Sequence, residues 1–374
     1  MIGSKKFKTL ICAEKFDEAA EVARAQIKSG AQIVDVCVAN PDRDELSDMR
    51  TFMEIAAKKV RAPFIIDSTD SKVIELALTY CQGKAIINSI NMEDGEERFE
   101  AVVQLALRYG AALVVGTIDD DAQQGMGVTR ERKLAIAERS YDLLVNKYGV
   151  APEDIYWDPL VFPCATGDAQ YVGSAIETIE GIRLIKKRFP QTRTVLGISN
   201  VSFGLPQAGR EVLNSIFLYH CVQAGLDLAI VNSEKLERYA SISDEEKKLS
   251  EDLLHNRGAD PVAAFAAHFR EKKTTEKTKK NDLPLLERIP QYIIEGLKDG
   301  LAQDLLEALK TLKPLEIING PLMKGMDEVG RLFKTNQLIV AEVLQSAEAM
   351  KAAVAVLEPF MEKTASMMLD KIVN

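Results

Sequence analysis

Seven times along the first 232 residues a short β-branched apolar run ends in a polar or acidic residue and gives way to an amphipathic stretch. The runs predict strands at 31–38, 63–68, 84–91, 111–118, 155–161, 193–199 and 227–232. Helical periodicity fills the intervals, as at 16–28, 71–81, 97–109, 130–147, 175–188 and 211–224. Strict strand and helix alternation means either a βα barrel or a doubly wound parallel sheet. A closed barrel of this kind needs eight strands; the pattern yields seven, with a helical segment ahead of the first. A doubly wound sheet tends to carry a Gly-rich phosphate loop after its first strand, and no GxGxxG or Walker pattern occurs. The expectation is therefore a TIM-type (β/α)8 barrel that lacks its first strand.

The pattern changes near residue 271. Residues 271–283 (EKKTTEKTKKNDL) are lysine-rich and contain no aromatic residue, the composition of a solvated linker. From Pro284 onward the periodicity is purely helical, at 284–298, 301–312, 315–333 with a break at Gly320 and Pro321, and 338–369. Helices joined by short connections predict a small four-helix bundle. Three parts are expected: a barrel at 1–270, a charged linker at 271–283 and an all-α domain at 284–374.

Charge narrows the partners. A formal charge of −9 and an isoelectric point near 5.2 leave no broad basic face for nucleic acid or an anionic membrane surface. No apolar run reaches the roughly 20 residues of a membrane span, and the N-terminal stretch lacks a signal peptide's apolar core. A cytoplasmic location is expected. The five cysteines are scattered, with no CxxC pair and no zinc spacing, as for reduced, packed thiols.

The chemistry gathers at the carboxyl ends of the strands, where ligands bind in parallel α/β folds. There the sequence places Asp35, Asp67, Asn88, Asp119, Asp158, Asn200 and Asn232. One Asp after a strand is ordinarily a helix N-cap; recurrence at seven strand ends points to a shared ligand. The stretch TVLGISNVSFGLP (194–206) carries the most polar loop, with Asn200 and Ser202 just beyond a buried strand. Carboxylates and amides with few cations do not suit a polyphosphate, which calls for Arg, Lys or a glycine cradle. They suit a flat heterocycle with several N–H donors and one carbonyl, such as a pterin. Asp119, Asp120 and Asp121 offer a competing reading as hard ligands for magnesium or calcium. Adjacent residues point in different directions, and no metal is expected. None of the three histidines lies at a strand end, so a Ser-His-Asp triad is not expected.

The order GAQIVDV, PFIIDST, AIINSIN, VVGTIDDD, WDPLVFP and GISNVSFGLP resembles the pterin-binding barrel of cobalamin-dependent methionine synthases and of methyltetrahydrofolate to corrinoid protein methyltransferases. The likeness covers roughly residues 3 to 270. NGPLMKGMDEVGRLF (319–333) and QLIVAEVLQSAEAMKAAV (337–354) resemble the helical cap of the methionine synthase cobalamin module. The resemblance implies binding of 5-methyltetrahydrofolate and transfer of its methyl group to reduced cobalamin, as part of methionine synthesis from homocysteine. It implies that Asp67, Asn88, Asp158 and Asn200 hold the pterin, with Asp35, Asp119 and Ser202 in the same wall. Asn200 and Asp158 would act on the methyl-bearing nitrogen. Phe333 and Val340 would cover the methyl-bearing face of a cobalamin held mainly by another domain or a corrinoid protein.

Several features depart from the family pattern. A first strand with a Glu-Arg-Thr-Asn stretch, an Asp-x-His-x-x-Gly loop for cobalt and a cysteine cluster for the homocysteine zinc are all missing, so the chain is expected to carry half of a reaction. Cys37 stands where relatives often have Asn. Dihydropteroate synthases share the barrel but expect Ser-Arg-Lys where this chain has Ser199, Asn200 and Val201. A non-catalytic docking module for a corrinoid protein is the alternative of a different class.

Overall fold

The computed structural model describes residues 4–165, 168–232, 236–271 and 283–373. The expected linker therefore lies almost wholly outside the described residues. Contacts divide the chain into two compact units, the first running to Leu236 and including Asp244–Arg270, the second made of Glu237–Ser243 and the chain from Glu271 onward.

The first unit opens with α1 (Lys5–Cys12) and α2 (Phe16–Lys28) and then alternates: β1 (Val34–Val36), α3 (Glu45–Lys59), β2 (Phe64–Asp67), α4 (Ser71–Leu78), β3 (Ile86–Ile90), α5 (Glu96–Tyr109) and β4 (Ala112–Gly116). It continues with α6 (Arg130–Tyr141), β5 (Ile155–Asp158), α7 (Ser174–Arg188), β6 (Arg193–Gly197), α8 (Gln207–Ala224), β7 (Leu228–Ile230), α9 (Asp244–Leu254) and α10 (Pro261–Glu271). All seven strands are parallel and pair in sequential order, β1 to β7. A doubly wound sheet would reverse that order partway. Sequential order with a constant twist curls the sheet into a nearly closed barrel.

Strands β2 to β4 are buried on both faces, as their near-continuous apolar composition requires, while β7 at the edge is only partly covered and ends in exposed Ile230. On the helix side, Val34, Val36, Phe64, Ile66, Ile87, Leu113, Val115 and Trp157 join one large core with the outer helices. Their neighbours Ile65, Ile86, Ala112, Val114 and Val195, with Ile33, Tyr156 and Leu228 against them, form a separate inner cluster. Six or more strands meeting in one inner cluster is the signature of a filled barrel rather than an open sheet.

The second unit contains α11 (Leu285–Glu295), α12 (Leu301–Ala308), α13 (Pro314–Ile317), α14 (Met323–Lys334) and α15 (Val340–Val373) around Ile289, Ile293, Leu305, Ile317, Leu322, Ala349, Ala353 and Leu357. The break expected at Gly320 and Pro321 does not occur. The helix passes through them as a π turn, Ile318–Leu322. Proline has no N–H to offer and crowds the preceding turn, and the wider π turn accommodates both problems. Glu237–Ser243 packs into this unit through Arg238, which is buried and donates to Ser346 Oγ at 3.0 Å and to the Glu342 carbonyl at 2.9 Å.

Candidate functional site

Side chains alternate across a strand, so every second residue after the inner cluster also faces inward. Counting on by two leads from Ile33 to Asp35, Ile65 to Asp67, Ile86 to Asn88, Val114 to Gly116, Tyr156 to Asp158, Val195 to Gly197 and Leu228 to Ile230. The pairing keeps several of these level, with Asp67 beside Asn88, Gly116 beside Asp158 and Gly197 beside Ile230. The top inward layer is thus polar or glycine at six of seven strands, directly above an apolar one.

Part of that layer lines a cavity of about 400 Å³, walled by Asn88, Asp158, Gly197 and Asn200, with Val114 and Val195 at its base and Met126, Leu160, Val161, Phe162 and Ile230 around it, while Asp35 and Asp67 lie outside the lining. Its size suits a small heterocycle. A hollow of similar volume on the outside of the barrel, beside Tyr141, Phe189 and the Glu138–Arg188 ion pair, is reached by no strand end.

Asn200 lies on the short helical turn Ile198–Ser202 that follows β6. A Cβ added at Gly197 would sit 3.4 Å from Asn200 Nδ2, so glycine leaves that amide its room. The amide makes no hydrogen bond among the described residues and keeps one acceptor and two donors for a ligand. Across the cavity Asp158 is held by the Leu160 N–H at 2.9 Å. Burial pushes its carboxyl up to about 6, against the pull of that hydrogen bond and of Lys133. Leu160 adopts φ +65°, a left-handed conformation that turns the chain back over the carboxylate.

Asn88 connects the cavity with the two acids on the earlier strands, its Nδ2 donating to Asp35 Oδ2 at 3.4 Å. Burial, then the neighbouring Asp67 charge, raises Asp35 to about 7. Asp67 is also raised by burial, and the Cys37 thiol donates to it and partly offsets the rise. Cys37 thus takes the place of a polar neighbour to Asp67.

Asp119 and Ser202 stand apart from the cavity lining. Residue for residue it is Gly116, not Asp119, that pairs with Asp158. Asp119 lies in the following loop, buried, in ion pairs with Arg132 at 2.5 Å and Arg139 at 3.4 Å. Asp120 meets Arg139 at 2.5 Å. Ser202 is buried, donating to the Ser199 carbonyl at 3.1 Å and accepting from Arg210 at 3.2 Å, which stiffens the Asn200 turn from below. In the second unit Phe333 and Val340 are 44% and 60% exposed, and Leu344, one turn along α15 from Val340, is 50% exposed. Among the described residues no group of three or more His, Cys, Asp or Glu side chains is arranged to hold a metal ion.

Sequence reasoning passed over Lys133. It is fully buried on α6, on the same stripe as Ile136, Ala137 and Ser140. That i, i+3, i+4, i+7 spacing is the signal that a lysine occupies a core position.

Residues 1–232 match the family described as pterin binding enzyme, and residues 285–358 match the B12 binding domain. The chain belongs to the pterin-binding enzyme family. It is 40% identical over 376 residues to methionine synthase of Mycobacterium tuberculosis and 40% identical over 373 residues to that of Mycobacterium leprae. Each alignment takes in 97% of this chain but 31% of the relative, so the chain spans about a third of their length. Among solved structures, dihydropteroate synthase from Thermus thermophilus is 21% identical, with 58% of this chain and 84% of that chain covered at a TM-score of 0.44. No described helix is long and apolar enough to cross a membrane.

Proposed function

We propose that the chain binds 5-methyltetrahydrofolate at the barrel mouth and promotes transfer of its methyl group to reduced cobalamin, within methionine synthesis from homocysteine. The observation that carries this reading is the inward layer of Asn88, Asp158 and Asn200 around one cavity, in a chain that also matches a B12 binding domain. In this reading residues 1–270 form the folate barrel, 271–283 the linker and 284–374 the cobalamin cap of a cytoplasmic enzyme. The partner is a cobalamin-binding domain or a corrinoid protein.

The pterin ring presents N–H donors along one edge, which Asp158, Asp67 and Asp35 accept, and mixed donors and acceptors along the other, which Asn88 and Asn200 match. Asp119 and Ser202 support this wall from outside, by holding the β4 loop and the Asn200 turn. Cobalamin, when bound, supplies the nucleophile that accepts the methyl group. The leaving nitrogen belongs to a tertiary amine and departs poorly unless it gains positive character. Asp158, with its carboxyl near 6, is poised to hold or yield a proton, and the Asn200 amide can turn to follow the nitrogen's change of state. Exposed Phe333 and Val340, with Leu344, suit the apolar cover of a corrin ring.

Calorimetric titration with methyltetrahydrofolate, with a pteroate lacking the reduced ring as control, tests the binding step. Selective binding is expected; its absence favours the docking reading. Asn200→Ala is expected to lower methyl transfer to added cobalamin by roughly 100-fold with the fold intact, the range for loss of one preorganised hydrogen-bonding group. Unchanged transfer removes Asn200 from the chemistry.

A further inference from the structure

Lys133 projects from α6, in the outer helical layer, toward the polar mouth. Its Nζ donates to the Gly127 carbonyl at 2.7 Å and the Pro159 carbonyl at 2.5 Å. Gly127 follows Met126 and Pro159 follows Asp158, both of which line the cavity. The ammonium also lies 5.2 Å from the ring centre of Phe162, a third lining residue. Room for the stem comes from α7, where a Cβ on Gly181 would sit 2.7 Å from Lys133 Cδ.

Both hydrogen-bond acceptors are neutral, so the charge needs another counterpart. Two anions face it, Asp158 from β5 and Glu177 from α7. Glu177 is already taken up by Arg130, at 2.6 Å through its guanidinium and 2.7 Å through its backbone N–H. Asp158 has no ion pair within 4.0 Å among the described residues, and accepts only the Leu160 N–H. The lysine thus faces in Asp158 a buried carboxylate with no ion pair among the described residues.

We propose that Lys133 is a positioning residue for the ligand site, binding the β4 and β5 loops to each other and supplying the buried cation that keeps the Asp158 carboxylate ionised. This deepens the folate reading and rests on it for the identity of the ligand. An ionised Asp158 accepts ring N–H groups, whereas a protonated one offers a donor where the ligand also has donors. Burial lowers the Lys133 ammonium to about 7, and Asp158 and Glu177 oppose that fall. Lysine and aspartate therefore titrate in the same range and each favours the charged form of the other.

The test begins with the ligand-free protein, so it does not depend on which ligand the site takes. In Lys133→Met the Asp158 carboxyl, followed by carbon-13 NMR, should titrate about one pH unit higher. In Asp158→Asn, a near-isosteric change, the Lys133 Cε signal should titrate lower, by the same coupling read from the other side. If Lys133→Met does not fold, this second titration still decides. Methyltetrahydrofolate affinity in Lys133→Met should fall roughly fivefold at about pH 6, approach a loss of about tenfold at about pH 5, as a one-unit shift implies, and recover at about pH 8.5. Titrations unmoved in both variants, or an affinity loss equal at every pH, would reduce Lys133 to a packing residue and overturn the proposal. If the wild-type chain ignores methyltetrahydrofolate while the titrations shift as stated, the folate reading fails and the Lys133 assignment stands.

Discussion

Asp119 and Asp120, just beyond β4, meet Arg132 and Arg139 at 2.5 Å each, whereas Asp35 and Asp67 on β1 and β2 make no ion pair among the described residues. The first pair is neutralised by the protein itself. Arg139 holds the Asp120 carboxyl below its ordinary value. The second pair is left under strain, with burial raising both acids and the Asp67 charge adding to the rise at Asp35. Carboxylates of one residue type at neighbouring strand ends therefore serve opposite purposes. An anion already matched by guanidinium stabilises a loop, while an unmatched anion keeps its acceptor capacity for something that arrives later.

The largest effect expected from this contrast is on stability at the paired cluster. Arg132→Met leaves Asp119 buried with only the longer Arg139 contact as ion pair, beside the Asp121 N–H at 3.2 Å, and should cost about 3–5 kcal/mol of unfolding free energy. The measurement is the denaturant midpoint; a loss under about 1 kcal/mol would show that Asp119 is not held as a buried ion. At the unmatched cluster the order reverses. Asp67→Asn should leave stability within about 1 kcal/mol, yet weaken methyltetrahydrofolate binding by roughly 10- to 100-fold, the worth of a hydrogen bond to a charged group. Equal losses of stability and affinity in that variant would erase the distinction between the clusters.

A smaller effect follows from pH. The Asp35 carboxyl titrates at about 7 in the folded chain against an ordinary value of 3.8, so between these values the native state holds a proton that the unfolded state has released. Its contribution to stability is complete below about pH 4 and is lost as pH rises to about 7. The loss should be on the order of 1–3 kcal/mol, and Asp35→Asn should flatten that part of the stability profile. Asp67→Asn should lower the Asp35 titration, because it removes the neighbouring negative charge. A slope unchanged by either variant would mean that Asp35 is not a buried acid.

Much of the fold could be read from the residues. Expected strands at 84–91 and 193–199 became Ile86–Ile90 and Arg193–Gly197, since β-branched runs bounded by polar residues leave few alternatives. The polar strand ends Asn88, Asp158 and Asn200 were legible for the same reason and do line one cavity. Asp119 was aligned with them because it follows a strand. Register places Gly116 at that level instead, and register is set by pairing between strands that no single segment specifies. Lys133 falls within the amphipathic stretch 130–147 and draws no separate expectation from it, and Glu237–Ser243 falls within the expected barrel at 1–270, although it packs with the helical unit.

By itself the sequence determined what depends on neighbours along the chain: the alternation of elements, the apolar faces of the strands, and the polar residues released at each strand end. The tertiary structure alone decided which acid shares a wall with Asn200, which acids are answered by arginine, and that a lysine from the outer helix reaches the Pro159 carbonyl next to Asp158. The physical reason is range. Periodicity and turn chemistry act over a few residues, whereas the desolvation and pairing of a charge depend on groups that only folding brings together.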